Sequence, residues 1–533
     1  MKKKLIFKIF IKLLFTIVII NSVQAQLVNQ EWVARYNGTG NLGDVITSSV
    51  IDDTGNVYLT GRSIGNGGRE DYATIKYNSS GIQQWVMRYN GPGDSFDYAN
   101  SIAVDNSGNV YVTGTSFGTS DDYATIKYNS SGIQQWVIRY NGPTSTSDES
   151  AWAIALDGSG NIYVTGQSEG VGTNYDYVTI KYNSSGIQQW ITRYNGPGNH
   201  IDRANAIAVD SSGNVYVTGF SKGNETGIDY ATVKYNTEGI QQWARRYSAS
   251  SINEEDAAWS ISLDDIGNVY VTGNSRNGSV YPACATIKYN TDGDDLWVAR
   301  YSAPGNSLQR GNSVKVDDLG NVYVVGQSGI LTYDFFTIKY NYNGIEQWVS
   351  RHSGGLGKSI ALDKSGYIYV TGFSSDGFET YLTTIKYDSF GIQQWITNQQ
   401  NDVSGFEKVN IDLFGNVIVT GASDGDYITI KYSQTISIQQ LSTELPEQFS
   451  LYQNYPNPFN PTTKIKFDIE KAGIIKLKVF DILGKEIATL VNESLNSGSY
   501  ETEFDGSNIM SGVYFYKLET DNFSEVKRMI LTK

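Results

Sequence analysis

The sequence predicts an all-β protein whose bulk is eight four-strand units closed into a propeller, and three motifs recurring in step predict it. The first is a tryptophan, usually in an xQQW context, at Trp32, Trp85, Trp136, Trp190, Trp243, Trp297, Trp348 and Trp395, spaced by 47 to 54 residues. The second is GNVYVTG or a near variant, starting at Gly55, Gly108, Gly160, Gly213, Gly267, Gly320, Gly366 and Gly415. The third is TIKY or TVKY, ending at Tyr77, Tyr128, Tyr182, Tyr235, Tyr289, Tyr340, Tyr387 and Tyr432. Helical periodicity is absent.

Each element is short, rich in β-branched and aromatic residues and bounded by Gly, Asn, Asp or Ser, the composition of strands joined by turns. In the second copy the strands are expected over 99–105, 110–113, 123–128 and 133–139. Between them, Asn106-Ser107-Gly108 and Asn129-Ser130-Ser131-Gly132 supply residues tolerant of positive φ, so both connections read as tight hairpins. A lone sheet of this kind would leave two apolar faces wet, so the units must stack, and this period favours a propeller over a solenoid. Closure also hides the sheet edges. Glu31 to Asn37 is a fourth-strand sequence that precedes any first strand, whereas the eighth copy reaches Tyr432 and then lacks its tryptophan. The N-terminal strand is therefore expected to complete the last blade, since its indole buries more apolar area than the competing Ile438-Gln439-Gln440-Leu441.

On these motifs the units resemble the bacterial β-propeller repeat family often labelled SBBP, and less closely NHL repeats, over about residues 31 to 432. The resemblance implies a fold and no particular activity. The label was coined for seven blades; eight copies are counted here, with seven as the alternative.

Four of the nine prolines fall between Pro446 and Pro461, marking an expected linker over 433–454 between the propeller (26–432) and a domain at 455–533. There Lys464 to Ile469 and Lys476 to Val479 alternate polar and apolar residues, as half-buried strands of a small immunoglobulin-like β-sandwich do. YPNPFNP (Tyr455, Pro456, Asn457, Pro458, Phe459, Asn460, Pro461), VFDILGKEI around Gly484, SGVYFYKL around Gly512 and the terminal run through Lys527, Arg528 and Lys533 resemble the type A sorting domain of the type IX secretion system. That resemblance implies the type IX machinery as a partner, with the cargo released or attached to the outer cell surface.

At 533 residues, 40% apolar and 13% aromatic, the chain has material for a packed core. Five of its 41 basic residues lie in the first twelve positions, leaving 36 against 55 acids, a balance of −19. So acidic a surface repels phosphate backbones, and nucleic acid is not expected as a partner. Residues 1–25 join a Lys-rich start, an apolar run from Leu13 to Ile20 and Val23-Gln24-Ala25, the pattern of a secretory signal cleaved after Ala25. The apolar run is short for a span, so no transmembrane segment is expected after cleavage.

Material for chemistry is sparse, and no cofactor is expected. His200 and His352 have no companion at metal or triad spacing, and Cys284 replaces a strand tyrosine as a small buried group. Two readings stand for the carboxylate ending each first strand, at Asp52, Asp105, Asp157, Asp210, Asp264, Asp317, Asp363 and Asp412. They form a cation-binding ring at a channel mouth, or each caps its own D-x-x-G-N turn; the second is favoured, because a calcium loop needs more alternating oxygens. Connections from second to third strand, and from fourth strand to the next blade, vary and share one face, the expected interaction surface. Trp152 and Trp259 break the repeat where other copies carry Thr47, Asn100, Asn205 or Asn312. Exposed, they suit stacking on sugar rings, with His200, Asp202 and Arg203 as polar neighbours; buried, they fill the gap between blades. The leading expectation is a non-enzymatic secreted or surface-attached protein that binds a polysaccharide or another surface component, such as a surface protein. A polymer hydrolase or lyase with carboxylates in the channel, and a structural adhesin or spacer, are the alternatives.

Overall fold

The structure, a computed structural model, describes residues 28–533 apart from 145, 250–253, 305–306, 331–332, 401–406, 414, 435–438, 443–445, 508 and 521. The expected leader at 1–25 lies outside the described residues. Eight antiparallel four-stranded sheets follow one another along the chain, each ordered from an inner first strand to an outer fourth. The second blade, Asp97–Val104, Val110–Phe117, Asp121–Tyr128 and Gln134–Tyr140, is typical. Among the described residues no helix is long and apolar enough to cross a membrane.

The repeated residues do one job per blade. Gly132 has φ +81°, and a Cβ there would sit 2.8 Å from the Trp85 ring of the preceding blade. Glycine is needed both for the turn and as the seat of that indole. Trp85 donates to the Ser130 carbonyl at 3.2 Å and packs between Tyr58 and Tyr128. Burying such a ring stabilises each blade junction by about 2 kcal/mol. The threonines of VTG and TIKY meet across the second and third strands, as in Thr113 with Thr125 at 3.0 Å, satisfying hydroxyls inside the sheet.

The ring closes with all eight blades. Val28–Tyr36 pairs antiparallel with Asp426–Gln434 and becomes the outer strand of blade eight. Its Trp32 donates to Ser79 of blade one at 3.1 Å and seats on Gly81, the contact Trp85, Trp136, Trp190, Trp243, Trp297 and Trp348 make at their junctions. The Tyr427 hydroxyl donates to the Arg62 carbonyl at 3.2 Å across the same junction, and Ser49 meets Thr420 at 2.9 Å.

The competing closure fails for a topological reason. Gln439–Ser442 pairs instead with Gly498–Asp505, and Ser450–Leu451 pairs with Thr462–Ile469. The stretch expected as a linker at 433–454 thus supplies two strands to the C-terminal module, while Ile438 lies outside the described residues. The second sheet of that module runs Glu486–Leu495, Gly473–Phe480, Gly512–Glu519, Ser524–Leu531, and the two sheets enclose Phe467, Leu477, Tyr516 and Met529.

The two end motifs of this module are joined to each other. The Phe459 amide donates to the Ile530 carbonyl at 2.9 Å, the Thr532 amide to the Phe459 carbonyl at 3.0 Å, and Asn457 accepts from the Ile530 amide at 2.9 Å. Tyr455 pairs with Lys464, and the three X-Pro bonds before Pro456, Pro458 and Pro461 are cis. Gly484 takes φ +80° in its turn, Gly512 opens a strand, and the Lys533 ammonium donates to the Ser507 carbonyl at 2.7 Å.

Candidate ligand-binding site in the axial channel

The eight first-strand carboxylates are engaged in their own turns. Asp105 accepts from the Ser107 and Asn109 amides at 2.9 Å with one oxygen, and from the Asn109 side chain (2.7 Å) and Tyr111 hydroxyl (3.0 Å) with the other. Asp52, Asp157, Asp210, Asp264 and Asp317 repeat the pattern. Asp412 adds Lys431 at 3.2 Å. Burial pushes the Asp105 carboxyl up, but the bonds from Asn109, Tyr111 and Ser107 outweigh it, so its pKa lies below the ordinary value. In blade seven Tyr367 replaces the turn asparagine; with no side-chain amide to donate there, burial dominates and holds Asp363 above its usual range. No group of three metal-ligating side chains occurs among the described residues.

The variable connections do share one face, and a second set of carboxylates builds it. Asp202 accepts from the Gly196 amide at 2.5 Å and the Lys222 amide at 3.1 Å, as Asp44 does from Gly38 and Ile64 in blade one. Asp202 is fully buried, so it braces a connection rather than standing beside Trp152 as a polar neighbour. His200 is exposed in the turn before blade four. Cys284 is buried against Thr272, and burial pushes its thiol up to about 11.

The inner strands differ where they bulge. In blades one, two, four and six the bulge residue reaches the next blade's inner strand: Thr47 to the Ala99 carbonyl, Asn100 to Ala151, Asn205 to Ala258 and Asn312 to Gly357, all at 2.7–2.8 Å. Each such latch contributes about 1 kcal/mol. In blades three, five and seven the bulge position holds Trp152, Trp259 and Lys358, and Glu407 takes the corresponding place at the head of the short inner strand of blade eight. The Arg203 guanidinium lies 3.7 Å from the centre of the Trp152 ring, and Arg310 lies 3.7 Å from that of Trp259. Both rings are half-buried, each stacked on a guanidinium from the next blade. Trp259 donates to Asn274 at 2.7 Å. On the variable face, a cavity of about 200 Å³ between blades five and six is lined by Glu255, Asn274, Arg276, Arg310 and Gln327.

Charge collects along this wall. Burial lowers Arg203 and Arg310 to about 10 and depresses Lys315, Lys358 and Lys408. Lys315 is open to solvent yet walled by protein, as the lumen of a ring requires. Burial raises Glu407 to about 7, against the pull of Lys358 and Lys408. Arg310, Lys315, Lys358, Lys408 and Glu407 were missed in the sequence. Lys358 stands in the column of Thr47, Asn100, Asn205 and Asn312 and was legible there; the others emerge only once the ring is closed.

Two family models match. A β-propeller repeat matches residues 84–120, 189–225 and 296–331, and a secretion system C-terminal sorting domain matches residues 453–532. An uncharacterized WD repeat-containing protein of Acanthamoeba polyphaga mimivirus is 23% identical over 347 residues, 53% of this chain. The chain spans only 24% of that relative's length. Among solved structures, PorZ, an essential surface component of the type IX secretion system of Porphyromonas gingivalis, is 16% identical, with a TM-score of 0.41 over 92% of this chain and 66% of PorZ. An ulvan lyase is 10% identical, with a TM-score of 0.41 over 74% of this chain and 95% of the lyase. Likenesses of this size carry no argument about activity.

Proposed function

We propose that this chain, a β-propeller-repeat protein carrying a type IX secretion C-terminal sorting domain, binds an extracellular or cell-surface glycan in its axial channel without turning it over. The sorting domain makes it secreted or attached to the outer surface. In this reading residues 1–25 carry it to the periplasm and are cleaved after Ala25, which mass spectrometry of the exported protein checks; an N-terminus at Met1 contradicts it.

One observation carries the binding reading. Where a threonine or asparagine latch would tighten the ring, three blades place Trp152, Trp259 and Lys358 at the channel wall instead. Giving up a latch of about 1 kcal/mol at each site is accounted for by what these side chains offer a ligand. Indole and guanidinium together present a flat apolar surface with hydrogen-bond donors at its rim, which suits saccharides.

A polymer hydrolase or lyase is the second reading, and Glu407 favours it. Burial beside Lys358 and Lys408 raises its carboxyl to about 7, the range of a general acid or base, and this reading requires a substrate to open the buried group to the channel. A glycan array on the full-length chain, paired with assay for released product, separates the two. Binding without product supports the first reading, product release overturns it for the second, and neither result leaves a structural spacer.

A further inference from the structure

The channel wall holds more positive charge than it balances. Arg203, Arg310, Lys315, Lys358 and Lys408 come from blades four, six, seven and eight, and they act on one another: Arg203 on Arg310, Arg310 on Lys358, and Lys315 and Lys358 on Lys408. Glu407 is the single carboxylate in this coupling among the described residues. The chain as a whole is net −14, so the excess of cations here is local and opposite to the general trend. The Nε groups of Arg203 and Arg310 and both Glu407 oxygens are buried with no hydrogen-bond partner among the described residues. The Nε groups are closed off, so an incoming anion meets the remaining edge of each half-buried guanidinium, whose charge no carboxylate pairs with among the described residues. Stacking on Trp152 and Trp259 fixes both guanidinium planes beforehand, which reduces the ordering cost of binding.

We propose that the occupant of the channel is an anionic saccharide whose sulfate or carboxylate groups are held by Arg203, Arg310, Lys358 and Lys408. This rests on the binding reading above. The charges lie at successive depths: Arg310 and Lys315 are five residues apart on one inner strand, roughly 15 Å at the rise of a β-strand. A row of that length matches a chain bearing repeated anionic groups, where one small ion would need convergent ligands. The acidic exterior confines such a ligand to the channel.

The test titrates the full-length chain with dextran sulfate, neutral dextran of the same length and inorganic sulfate, before and after the paired substitutions Lys358→Gln and Lys408→Gln. Both changes remove the charge and keep a shorter polar side chain; melting curves check folding, and Lys315→Gln, exposed to the lumen, is the second variant. Dextran sulfate should bind, in a salt-sensitive way, and about tenfold to a hundredfold less tightly in the paired variant, the effect of losing hydrogen bonds to charged groups. Unchanged binding in both folded variants overturns the assignment. Inorganic sulfate binding as tightly as dextran sulfate overturns the saccharide part. Binding of neutral dextran or other neutral glycans with none of dextran sulfate overturns this inference and leaves the binding reading standing. Absence of binding to any glycan overturns both.

Discussion

Replacing Glu407 by glutamine should stabilise the propeller fully above neutral pH, by less as the pH falls, and not at all below about pH 4.5. Glu407 is 1% exposed, and its carboxyl rises from 4.5 to about 7 because burial disfavours the charged form. Between those values the folded chain keeps a proton that the unfolded chain has released, so stability falls as pH rises through this window. A shift of roughly 2.5 units at 1.36 kcal/mol each costs about 3 kcal/mol once the pH exceeds 7. Glutamine keeps the shape without the charge and recovers that amount. For a propeller of roughly 400 residues, with an unfolding entropy near 2.1 cal/mol/K per residue, this is a rise in Tm of roughly 3–4 °C. Differential scanning calorimetry of both proteins at pH 5 and pH 8.5 reads it directly. A Tm difference that is absent at pH 8.5, or equal at both pH values, would refute the assignment of Glu407 as a buried carboxyl with no hydrogen-bond partner among the described residues.

Other expectations follow from the same geometry. Trp152→Asn with Trp259→Asn restores the residue that latches other blades, onto the Ala204 and Gly311 carbonyls; this double variant should fold and lose glycan binding, and full binding in it would remove the tryptophans from the site. Trp32→Ala should cost about 2 kcal/mol and speed hydrogen exchange selectively in blades eight and one, the junction it closes. Asp105→Ala removes four accepted hydrogen bonds and should destabilise by roughly 1–3 kcal/mol, whereas calorimetry should give no tight calcium binding to the native chain. Deleting Lys527 to Lys533 would take out the buried Met529 and the clamp on Phe459, so it unfolds the module; Lys527→Ala with Arg528→Ala tests sorting alone, and surface display unchanged in that variant would place the signal elsewhere.

The repeat was readable because each motif residue performs the same local task in most blades. The turn asparagine bonds its own amides, the turn glycine adopts φ near +80° and seats an indole, and paired threonines satisfy each other. Closure through Glu31 to Asn37 was readable for a related reason: Trp32 had a defined seat and no blade of its own. The site was less accessible. Lys315 and Lys408 look like solvated surface charges in sequence, and Arg310 becomes Trp259's partner only when blades five and six pack. Asp202 accepts two backbone amides from a variable connection, a task that leaves no local sequence pattern. The strands at 439–442 and 450–451 are too short to show alternation, which is why a linker was expected there.

The central claim is that the ligand sits in the axial channel, and a crystal structure of the full-length protein with the best-binding glycan tests it most directly. Density along the inner strands, between the Trp152 and Arg203 pair and Lys358, is the expected result. Density on the outer rim, or on the face bearing the Asp105-type turns, with an empty channel, would contradict it.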